Sequence, residues 1–332
     1  MYHIILAGGR GTRFWPLSTE KKPKQFLNIF NNESLIKSTY NRLLKVASSE
    51  KIFILSSEKY SNLIKKEISN ANIIIEPSPN NTTSAIYLAA KYILNLDREA
   101  LLGFYPSDHY INDKENKFSE TIIKAKSFLN KNKKAILTIG LKPSYPSTEY
   151  GYIKIKEDNL PDFVSIHKAS RFIEKPSSDD AQKLINETDN LWNIGIFFFK
   201  ATTIINEIEE KVTEFKNYSE SFMQKWHLLP SISIDYSVME KTENFYCINS
   251  QFIWSDIGNW KSLYEILPKD KSNNAIQGRH LAYNSENNLI ISPEKLIATV
   301  GLDNIAVIDT NDTILIVNLK DSGDIKKLIK KK

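Results

Sequence analysis

Short apolar segments alternate with amphipathic segments through the first half of the chain. Five apolar runs predict buried strands, over residues 2–7, 51–55, 72–75, 101–105 and 135–139. Between them, apolar residues recur at helical spacing and predict helices over 34–46, 60–68, 82–94 and 117–129. This β-α-β-α order predicts an α/β fold with a Rossmann-like, mostly parallel sheet flanked by helices.

The pattern changes after about residue 150. It predicts strands over 151–155, 164–173 and 194–199 and helices over 179–187 and 202–211. From residue 274 onward, apolar runs of about five residues are typical of a short β-helix or meander, at 288–291, 297–300, 305–308 and 313–317, with a closing helix over 321–331. Residues 268–273 are the most linker-like stretch. We therefore predict two domains, residues 1–268 and a small β-rich domain over 274–332 that ends in a helix.

Length and composition fit this architecture. The chain has 332 residues, about two domains' worth, and its apolar fraction of 41% and charged fraction of 25% are near globular averages. No apolar run has the length of a membrane span or of a signal sequence. The single cysteine, Cys247, excludes an intramolecular disulfide and a cysteine-based zinc site. We expect a cytoplasmic protein with no membrane partner.

The distribution of charge argues against a nucleic-acid partner. The formal net charge is +5, but the 44 basic and 39 acidic residues are interspersed and form no basic stripe. The one dense basic run, over 326–332, suits the last turns of a terminal helix, where the helix dipole favours cations. A tail that binds polyanions is the alternative. We expect no nucleic-acid partner.

A glycine cluster follows the first predicted strand. Three of the 11 glycines lie within four positions there, Gly8, Gly9 and Gly11. In doubly wound sheets this strand end binds phosphates. No lysine follows at the spacing of a Walker A loop, and Phe14 stands where a dinucleotide motif requires its third glycine. The turn and the cations after it, Arg13 and Lys24, suit a triphosphate, and a tight turn with basic surface residues is the alternative.

The glycine turn is part of a longer signature. Residues 6–18 have the sequence Leu-Ala-Gly-Gly-Arg-Gly-Thr-Arg-Phe-Trp-Pro-Leu-Ser, and residues 23–27 have the sequence Pro-Lys-Gln-Phe-Leu. Together they resemble the opening motif of the sugar-phosphate nucleotidylyltransferases, and specifically of the mannose-1-phosphate guanylyltransferases. Later segments resemble further motifs in the family's order, at 76–82, 106–109, 150–153, 172–176, 192–197, 233–236 and 254–258. The resemblance runs from residue 2 to about 265, with a weaker match in the C-terminal β segment.

This resemblance implies a reaction and a set of ligands. GMP would pass from GTP to α-D-mannose 1-phosphate, giving GDP-mannose and pyrophosphate, with Mg²⁺ as the cofactor. The implied nucleotide-binding residues are Leu6, Ala7, Gly8, Gly9, Gly11, Thr12, Arg13, Lys24, Asn81, Thr82 and Ser107. The implied sugar-phosphate-binding residues are Gly151, Glu174, Lys175 and Asn193. Because the C-terminal β segment of relatives often supports dimer contacts, we expect a homodimer.

Two aspartates are candidate metal ligands. Asp108 comes just after the strand predicted over 101–105, at the same sheet edge as the glycine turn, and Asp256 precedes a helix expected to begin near Asn259. Aspartate is also common in turns and at helix caps, so a purely structural role is the alternative for both residues. Carboxylates that converge from distant strand ends suit Mg²⁺, which prefers hard oxygen ligands. The resemblance assigns both to the metal and, with Arg13 and Lys24, to catalysis.

The segment Glu174-Lys175-Pro176 ends a strand-like run, because proline cannot continue a central strand. Without the resemblance, Glu174 and Lys175 could also be an exposed ion pair in a turn. The resemblance assigns Glu174 and Asn193 to sugar hydroxyls and Lys175 to the sugar phosphate. Gly151 would let the backbone approach the sugar closely.

Two positions depart from the guanylyltransferase pattern. Asn80 stands where related sequences have arginine, and Glu149 where they have glycine. Another nucleotide or another hexose 1-phosphate therefore stays an alternative. A non-catalytic regulatory homologue is a second alternative, against which the presence of all the catalytic residues argues. A nicotinamide-dependent dehydrogenase is a third, against which the missing third glycine argues.

Overall fold

The computed structural model describes residues 1–9, 11–30, 33–156 and 160–329. Arg10 of the glycine turn and Lys330 to Lys332 of the basic run lie outside the described residues. The strands, numbered in chain order, are β1 (Tyr2–Leu6), β2 (Ile52–Ser57), β3 (Asn72–Glu76), β4 (Leu101–Pro106), β5 (Tyr110–Asn112), β6 (Ile136–Leu141), β7 (Gly151–Ile155), β8 (Ile166–Ile173), β9 (Asn190–Lys200), β10 (Phe245–Ser250), β11 (Ile253–Ser255), β12 (Ala275–Tyr283), β13 (Leu289–Val300), β14 (Ile305–Asp309) and β15 (Ile314–Asn318).

The helices follow the predicted alternation with the strands. They are α1 (Leu35–Leu43), α2 (Ser61–Glu67), α3 (Asn81–Leu96), α4 (Lys117–Lys131), α5 (Ser178–Asn186), α6 (Ala201–Lys211), α7 (Thr213–Asn217), α8 (Trp260–Ile266) and α9 (Ile325–Ile329). Every strand and helix predicted for the first half is present, with ends shifted by a few residues. Among the described residues, none of these helices is long and apolar enough to cross a membrane.

Nine strands form one sheet in the order β3-β2-β1-β4-β9-β6-β10-β8-β7. β1 pairs in parallel with β2 and β4, and β2 with β3, so the first part of the sheet is Rossmann-like. β9 then runs antiparallel between β4 and β6, and the rest of the sheet is mixed. The α/β class is confirmed. Strand direction in the second half was not predictable, because only a β-α-β crossover implies parallel neighbours.

The chain folds as two compact units. The first comprises Met1–Gly8, Ile36–Ser107 and Ile111–Ile253, and the second comprises Gly9–Leu35, Asp108–Tyr110 and Trp254–Lys332. The first unit contains the nine-stranded sheet, and its core includes the fully buried side chains of Ile4, Ile86, Phe104 and Phe199. These units divide the chain differently from the predicted boundary at 268–274, and that boundary stays a prediction.

The second unit has a separate apolar core beneath a four-stranded sheet. The sheet has the order β12-β13-β14-β15, parallel through β14 and antiparallel at β15. The prediction of two separate strands at 288–291 and 297–300 is wrong, because β13 is continuous across both segments. The pairing of β12 with β13 shifts register after Gly278, so the polar residues between the two apolar runs have no partner on β12. The strands approach closely there, since a Cβ on Gly278 would lie 2.7 Å from the carbonyl carbon of Ser292.

Two further segments differ from their predicted conformations. The linker-like stretch is an ordered turn, in which Oδ1 of Asp270 accepts hydrogen bonds from the backbone N–H groups of Ser272 and Asn274. The closing helix predicted over 321–331 is a 3-10 segment, Leu319–Asp324, followed by α9. Lys326 and Lys327 lie in α9, as expected for cations near a helix C-terminus.

Candidate active site

Gly11 and Lys24 contact each other at the glycine turn of the second unit. Gly11 has a φ of 59°, in the left-handed region that favours glycine, and a Cβ there would lie 3.0 Å from the backbone nitrogen of Lys24. Ser18 Oγ donates a 2.5 Å hydrogen bond to the carbonyl oxygen of Gly11. A larger residue at position 11 would therefore displace the segment that carries Lys24.

Lys24 joins the two predicted metal ligands. Its Nζ donates to Oδ2 of Asp108 at 2.9 Å and to the main-chain oxygen of Asp256 at 2.6 Å. The lysine is only 5% exposed. Burial would raise the pKa of Asp108, but the positive charges of Lys24 and His109 hold that pKa below its ordinary value. Asp108 is therefore ionised at neutral pH, and three of the four predicted catalytic residues lie together.

The loop that carries Asp256 is fixed by hydrogen bonds to its own backbone. Oδ1 of Asp256 accepts from the backbone N–H of Gly258 at 3.1 Å, and a Cβ on Gly258 would lie 2.9 Å from Oδ2. Ile257 between them has a φ of 46°. Asn259 then caps α8 as expected, through a capping box with Ser262. These contacts set the orientation of the Asp256 carboxylate.

Arg13 and Thr12 lie in a 3-10 turn, Thr12–Phe14, directly after Gly11. Phe14 is fully buried against Trp260, with 4.6 Å between ring centroids. The position where a dinucleotide motif has its third glycine is therefore part of the apolar core of the second unit. This packing anchors the turn that presents Arg13.

Four predicted nucleotide-binding residues lie where β1 and β4 end in the first unit. They are Leu6, Ala7, Gly8 and Ser107. The backbone N–H of Ser107 donates to the carbonyl oxygen of Leu6 at 3.1 Å, and Ser56 Oγ donates to the carbonyl oxygen of Ala7 at 3.0 Å. These bonds extend the parallel pairing of the first unit beyond the strand ends.

Glu76, the last residue of β3, is a functional candidate that the sequence analysis missed. Its side chain points toward Gly8, because its Oε1 lies 3.3 Å from where a Cβ on Gly8 would be. Glu76 is 4% exposed, and no hydrogen bond or ion pair joins its carboxylate to another described residue. Burial raises its pKa to about 7. Its position in the Glu-Pro motif, at the end of a buried strand, is the feature of the sequence that could have identified it.

The residues around the start of α3 fasten two segments of the first unit together. Nδ2 of Asn80 donates to Ser84 Oγ at 2.9 Å and to the carbonyl oxygen of Leu229 at 3.1 Å. Thr82 Oγ1 accepts from the backbone N–H of Ile234 at 2.8 Å. Asn80 therefore has a structural role. The nucleotide contacts of Asn81 and Thr82 stay predictions.

All four predicted sugar-phosphate residues lie together in the first unit. β7 and β9 are antiparallel neighbours with Gly151 opposite Asn193. A Cβ on Gly151 would lie 2.6 Å from Oε2 of Glu174, so a larger residue there would displace the end of the Glu174 side chain. Lys175 donates from Nζ to Oε1 of Glu174. The cluster combines carboxylate, amide and ammonium groups, which suits a polyhydroxylated anion.

Asp235 adjoins this cluster and was also missed. Nδ2 of Asn193 donates to its Oδ1 at 3.2 Å. Asp235 is the first residue of a π-helical turn, Asp235–Met239, a conformation common at functional sites. Burial and then the nearby Glu174 carboxylate raise the pKa of Asp235 to about 7, against the opposing effect of Lys175. The acidic residue within the motif at 233–236 was the signal that could have identified it.

Asp108 and Asp256 are candidate ligands for a divalent cation. Lys24 contacts the carboxylate of Asp108 and the main-chain oxygen of Asp256, and both aspartates have hard oxygen atoms in their side chains. Within the part of the chain that the structure describes, no group of three or more His, Cys, Asp or Glu side chains is arranged to hold a metal. A metal bound here would therefore take two protein carboxylates and complete its coordination with phosphate or water oxygens.

Comparison with known proteins assigns the class. Residues 2–273 match the family model described as nucleotidyl transferase, and residues 278–331 match the one described as MannoseP isomerase/GMP-like beta-helix domain. The chain therefore belongs to the nucleotidyl transferase family. This result confirms the predicted enzyme class and the fold class with its β-helix-like C-terminal segment.

The similar proteins within this family are named for a specific reaction. The chain is 32% identical over 351 residues to mannose-1-phosphate guanylyltransferase 2 of Escherichia coli O157:H7, covering 98% of this chain and 72% of that protein. It is also 32% identical over 346 residues to mannose-1-phosphate guanylyltransferase of Klebsiella pneumoniae, with the same coverage. A solved structure named mannose-1-phosphate geranyltransferase, from Thermus thermophilus, matches with a TM-score of 0.89 at 28% identity, over 99% of this chain and 98% of that one. The resemblance found in the sequence is confirmed.

Proposed function

We propose that this protein is a mannose-1-phosphate guanylyltransferase, which transfers GMP from GTP to α-D-mannose 1-phosphate and releases pyrophosphate. The observation that carries the reaction type is the buried ammonium of Lys24 in contact with Asp108 and Asp256, next to the glycine turn at Gly11. The names of the relatives, given for guanylyl transfer and mannose 1-phosphate, support the two substrates.

The proposed reaction exchanges one phosphoanhydride for another. An oxygen of the sugar phosphate attacks the α-phosphorus of GTP, and the bond from that phosphorus to the bridging oxygen breaks. The electron pair of that bond leaves with pyrophosphate. The nucleophile needs no general base, because a phosphate monoester has a second pKa of about 6 and is already an anion at neutral pH. Catalysis therefore consists of positioning two anions and offsetting their charge.

In the second unit, we assign the triphosphate to the glycine turn and its cations. Backbone N–H groups of Gly9, Gly11 and Thr12 would approach the phosphates, and Arg13 and Lys24 would offset their charge. Asp108 and Asp256 would hold Mg²⁺. When bound, this ion neutralises phosphate charge as a Lewis acid. Lys24 keeps Asp108 ionised and so ready to bind a cation at neutral pH.

In the first unit, we assign guanine recognition to the end of β3. The Watson–Crick edge of guanine presents two adjacent donors, N1–H and the 2-amino group, and a carboxylate offers two adjacent acceptors. Glu76 is such a carboxylate, buried next to Gly8. None of the other common bases presents two adjacent donors on that edge. Leu6, Ala7, Asn81, Thr82 and Ser107 would complete the nucleotide contacts.

We assign the sugar phosphate to the cluster at Gly151 in the first unit. Glu174 and Asn193 would bind sugar hydroxyls, and Lys175 would pair with the phosphate. The contact between Lys175 and Glu174 supports this assignment, since it orders an otherwise flexible lysine. Burial opposes the charge of Lys175, but its bond to Glu174 and the charges of Glu174 and Asp235 raise its pKa. Lys175 therefore stays charged throughout the neutral range.

Release of pyrophosphate tests this function directly. The assay combines each of the four nucleoside triphosphates with mannose, glucose or galactose 1-phosphate, with Mg²⁺ present or chelated. We expect release with GTP and mannose 1-phosphate, dependence on the metal, and a product with the mass of GDP-mannose. Activity with a different pair would overturn the substrates and leave nucleotidyl transfer in place. Absence of release with every pair would indicate a non-catalytic homologue.

We also infer a homodimer. Several strands of the C-terminal sheet carry exposed apolar side chains, including Leu281 at 61%, Tyr283 at 68% and Val300 at 70% exposure. Exposed apolar patches of this kind are typical of protein interfaces. Light scattering should therefore give twice the chain mass of 38.1 kDa. A monomer mass at micromolar concentration would overturn the inference.

A further inference from the structure

We propose that Asp235 is a positioning residue of the sugar-phosphate subsite, which holds the side-chain amide of Asn193 so that its second N–H can donate to the sugar. The inference rests on the proposed function, where Asn193 is assigned to a sugar hydroxyl. It adds a role for Asp235 toward Asn193, beside the effect of its charge on Lys175. Its support is the hydrogen-bond pattern around the Asn193 amide.

The oxygen of that amide accepts hydrogen bonds from the protein itself. Asn193 lies on β9 and is 8% exposed. Its Oδ1 accepts from Thr138 Oγ1 at 3.0 Å and from the backbone N–H of Gly195 at 3.1 Å. The hydroxyl of Thr138 also lies 2.9 Å from the carbonyl oxygen of Ile196, so its single hydrogen is shared between the two acceptors. The backbone N–H of Gly195 is therefore the donor that fixes Oδ1 of Asn193.

The nitrogen of the amide is held from the other side. One hydrogen of Nδ2 goes to Oδ1 of Asp235, at a nitrogen–oxygen distance of 3.2 Å. The backbone N–H of Gly195 can only donate, so it sets the amide oxygen on its own side and Nδ2 toward Asp235. Asp235 holds the Asn193 amide in that orientation by accepting from Nδ2. The second Nδ2 hydrogen is the group that Asn193 can offer to a sugar oxygen.

The turn that begins at Asp235 also reaches the second sugar ligand. The backbone N–H of Glu240 donates to the carbonyl oxygen of Asp235 at 3.0 Å, closing the π-helical turn. Oε1 of Glu240 in turn accepts from the backbone N–H of Glu174 at 3.4 Å. One short segment thus contacts both Asn193 and Glu174. Hydrogen bonds of this kind, made to the residues that bind the ligand, keep those residues in the geometry that binding requires.

The test compares two substitutions of the carboxylate. Asp235→Ala removes the acceptor, so we expect the KM for mannose 1-phosphate to rise by about 10- to 100-fold, with the KM for GTP within about twofold of wild type. Asp235→Asn keeps an oxygen acceptor and should recover most of that loss. Asp162→Asn, which removes an exposed carboxylate of the same unit, is the matched control and should leave both KM values unchanged.

A double-mutant cycle separates positioning from direct contact. If Asp235 acts through the amide, Asp235→Ala adds almost nothing to the loss caused by Asn193→Ala. Additive losses would mean that Asp235 acts by a route other than the Asn193 amide and would overturn the proposal. A sugar KM within twofold of wild type in Asp235→Ala would overturn it as well. Failure of the proposed function would be visible earlier, because the wild-type protein would then release no pyrophosphate.

Two further variants keep the test decisive if Asp235→Ala folds poorly. Asp235→Leu is close in shape to aspartate and also lacks the acceptor, so the same rise in sugar KM is expected. Thr138→Val removes a donor to Oδ1 of Asn193 with little change in volume. It should raise the sugar KM and should likewise be non-additive with Asn193→Ala. An unchanged sugar KM in the folded Asp235→Leu protein would overturn the proposal.

Discussion

The ammonium of Lys24 lies 2.9 Å from the carboxylate of Asp108, although 84 residues separate them in the chain. The same ammonium contacts the main chain at Asp256. Burying an ammonium group is costly unless charged and polar partners replace its lost hydration. The pair therefore fixes three segments of the second unit around one charge, and the candidate phosphate site is organised by the protein's own contacts.

Replacing Lys24 with methionine removes the charge and keeps most of the volume. We expect kcat/KM to fall by about 10²- to 10⁴-fold, because a cation that offsets phosphate charge is lost. The matched control is Lys45→Met, which breaks a half-exposed ion pair with Asp113 in the first unit. Pyrophosphate release measures both variants, and circular dichroism checks their folding. Equal activities in the two would contradict the role given to Lys24.

Arg13 is expected to act on the rate with little effect on the fold. Arg13→Ala removes a guanidinium from the turn after Gly11, and turnover should fall by about 10²-fold or more. The turn itself should persist because Phe14 anchors it in the core. Arg98→Ala, at an exposed position before β4, provides the control. Near-normal turnover in Arg13→Ala, measured at saturating GTP, would remove Arg13 from the catalytic set.

Gly11→Ala should lower both stability and activity. Two effects add at this position, a φ of 59° and a Cβ that would press on the backbone of Lys24. We expect a loss of about 1–3 kcal/mol in the free energy of unfolding, together with reduced turnover because Lys24 moves. Gly301→Ala separates the effects, since Gly301 has a φ of 66° but no neighbour within 4 Å. If urea titrations show the same loss of unfolding free energy in Gly11→Ala and Gly301→Ala, the contact with Lys24 does not contribute to the loss at Gly11.

Glu76→Gln should stabilise the protein above neutral pH. The folded-state pKa of Glu76 is about 7, above its ordinary value of 4.5, so the folded chain holds a proton that the unfolded chain releases between these values. Wild-type stability therefore falls as pH rises through this window, and glutamine does not titrate. We expect the variant to gain about 1–3 kcal/mol at pH 8 and little at pH 5. A gain that is independent of pH would contradict the buried, ionisable state of Glu76.

The same substitution should change base selection. Inosine triphosphate lacks the 2-amino group of guanine and keeps N1–H, so wild type should prefer GTP over ITP by about 10- to 100-fold in kcat/KM. Glu76→Gln removes the matched acceptors and should reduce that preference to a few-fold. Asp113→Asn, at another buried carboxylate of the first unit, should keep the wild-type ratio. An unchanged GTP/ITP ratio in Glu76→Gln would exclude this residue from guanine recognition.

The alternating strands and helices were predictable because their signals are local. Buried parallel strands such as β1 and β4 are continuous apolar runs, and the helices between them repeat apolar residues at helical spacing. The glycine turn was identifiable because three glycines stand together in a chain that has few of them. Candidate residues such as Asp108 and Glu174 could be named because they stand in ordered motifs at strand ends.

Contacts between distant residues required the tertiary structure. The antiparallel insertion of β9 places Asn193 opposite Gly151, and no local pattern encodes that pairing. The contact of Lys24 with Asp108 and the burial of Glu76 beside Gly8 likewise join residues far apart in sequence. Burial and neighbouring charge then decide which carboxylates ionise readily, as the opposite pKa shifts of Asp108 and Asp235 demonstrate.

The sequence by itself therefore determined the fold class, the family and the types of residue available for nucleotidyl transfer. Only the tertiary structure decided which of these residues lie together, which carboxylates are charged, and which side chains orient others, as Asp235 orients Asn193. The physical reason is the range of the forces involved. Hydrophobic periodicity and turn chemistry act over a few neighbouring residues, whereas hydrogen bonding, desolvation and charge depend on whatever the folded chain brings within a few ångströms.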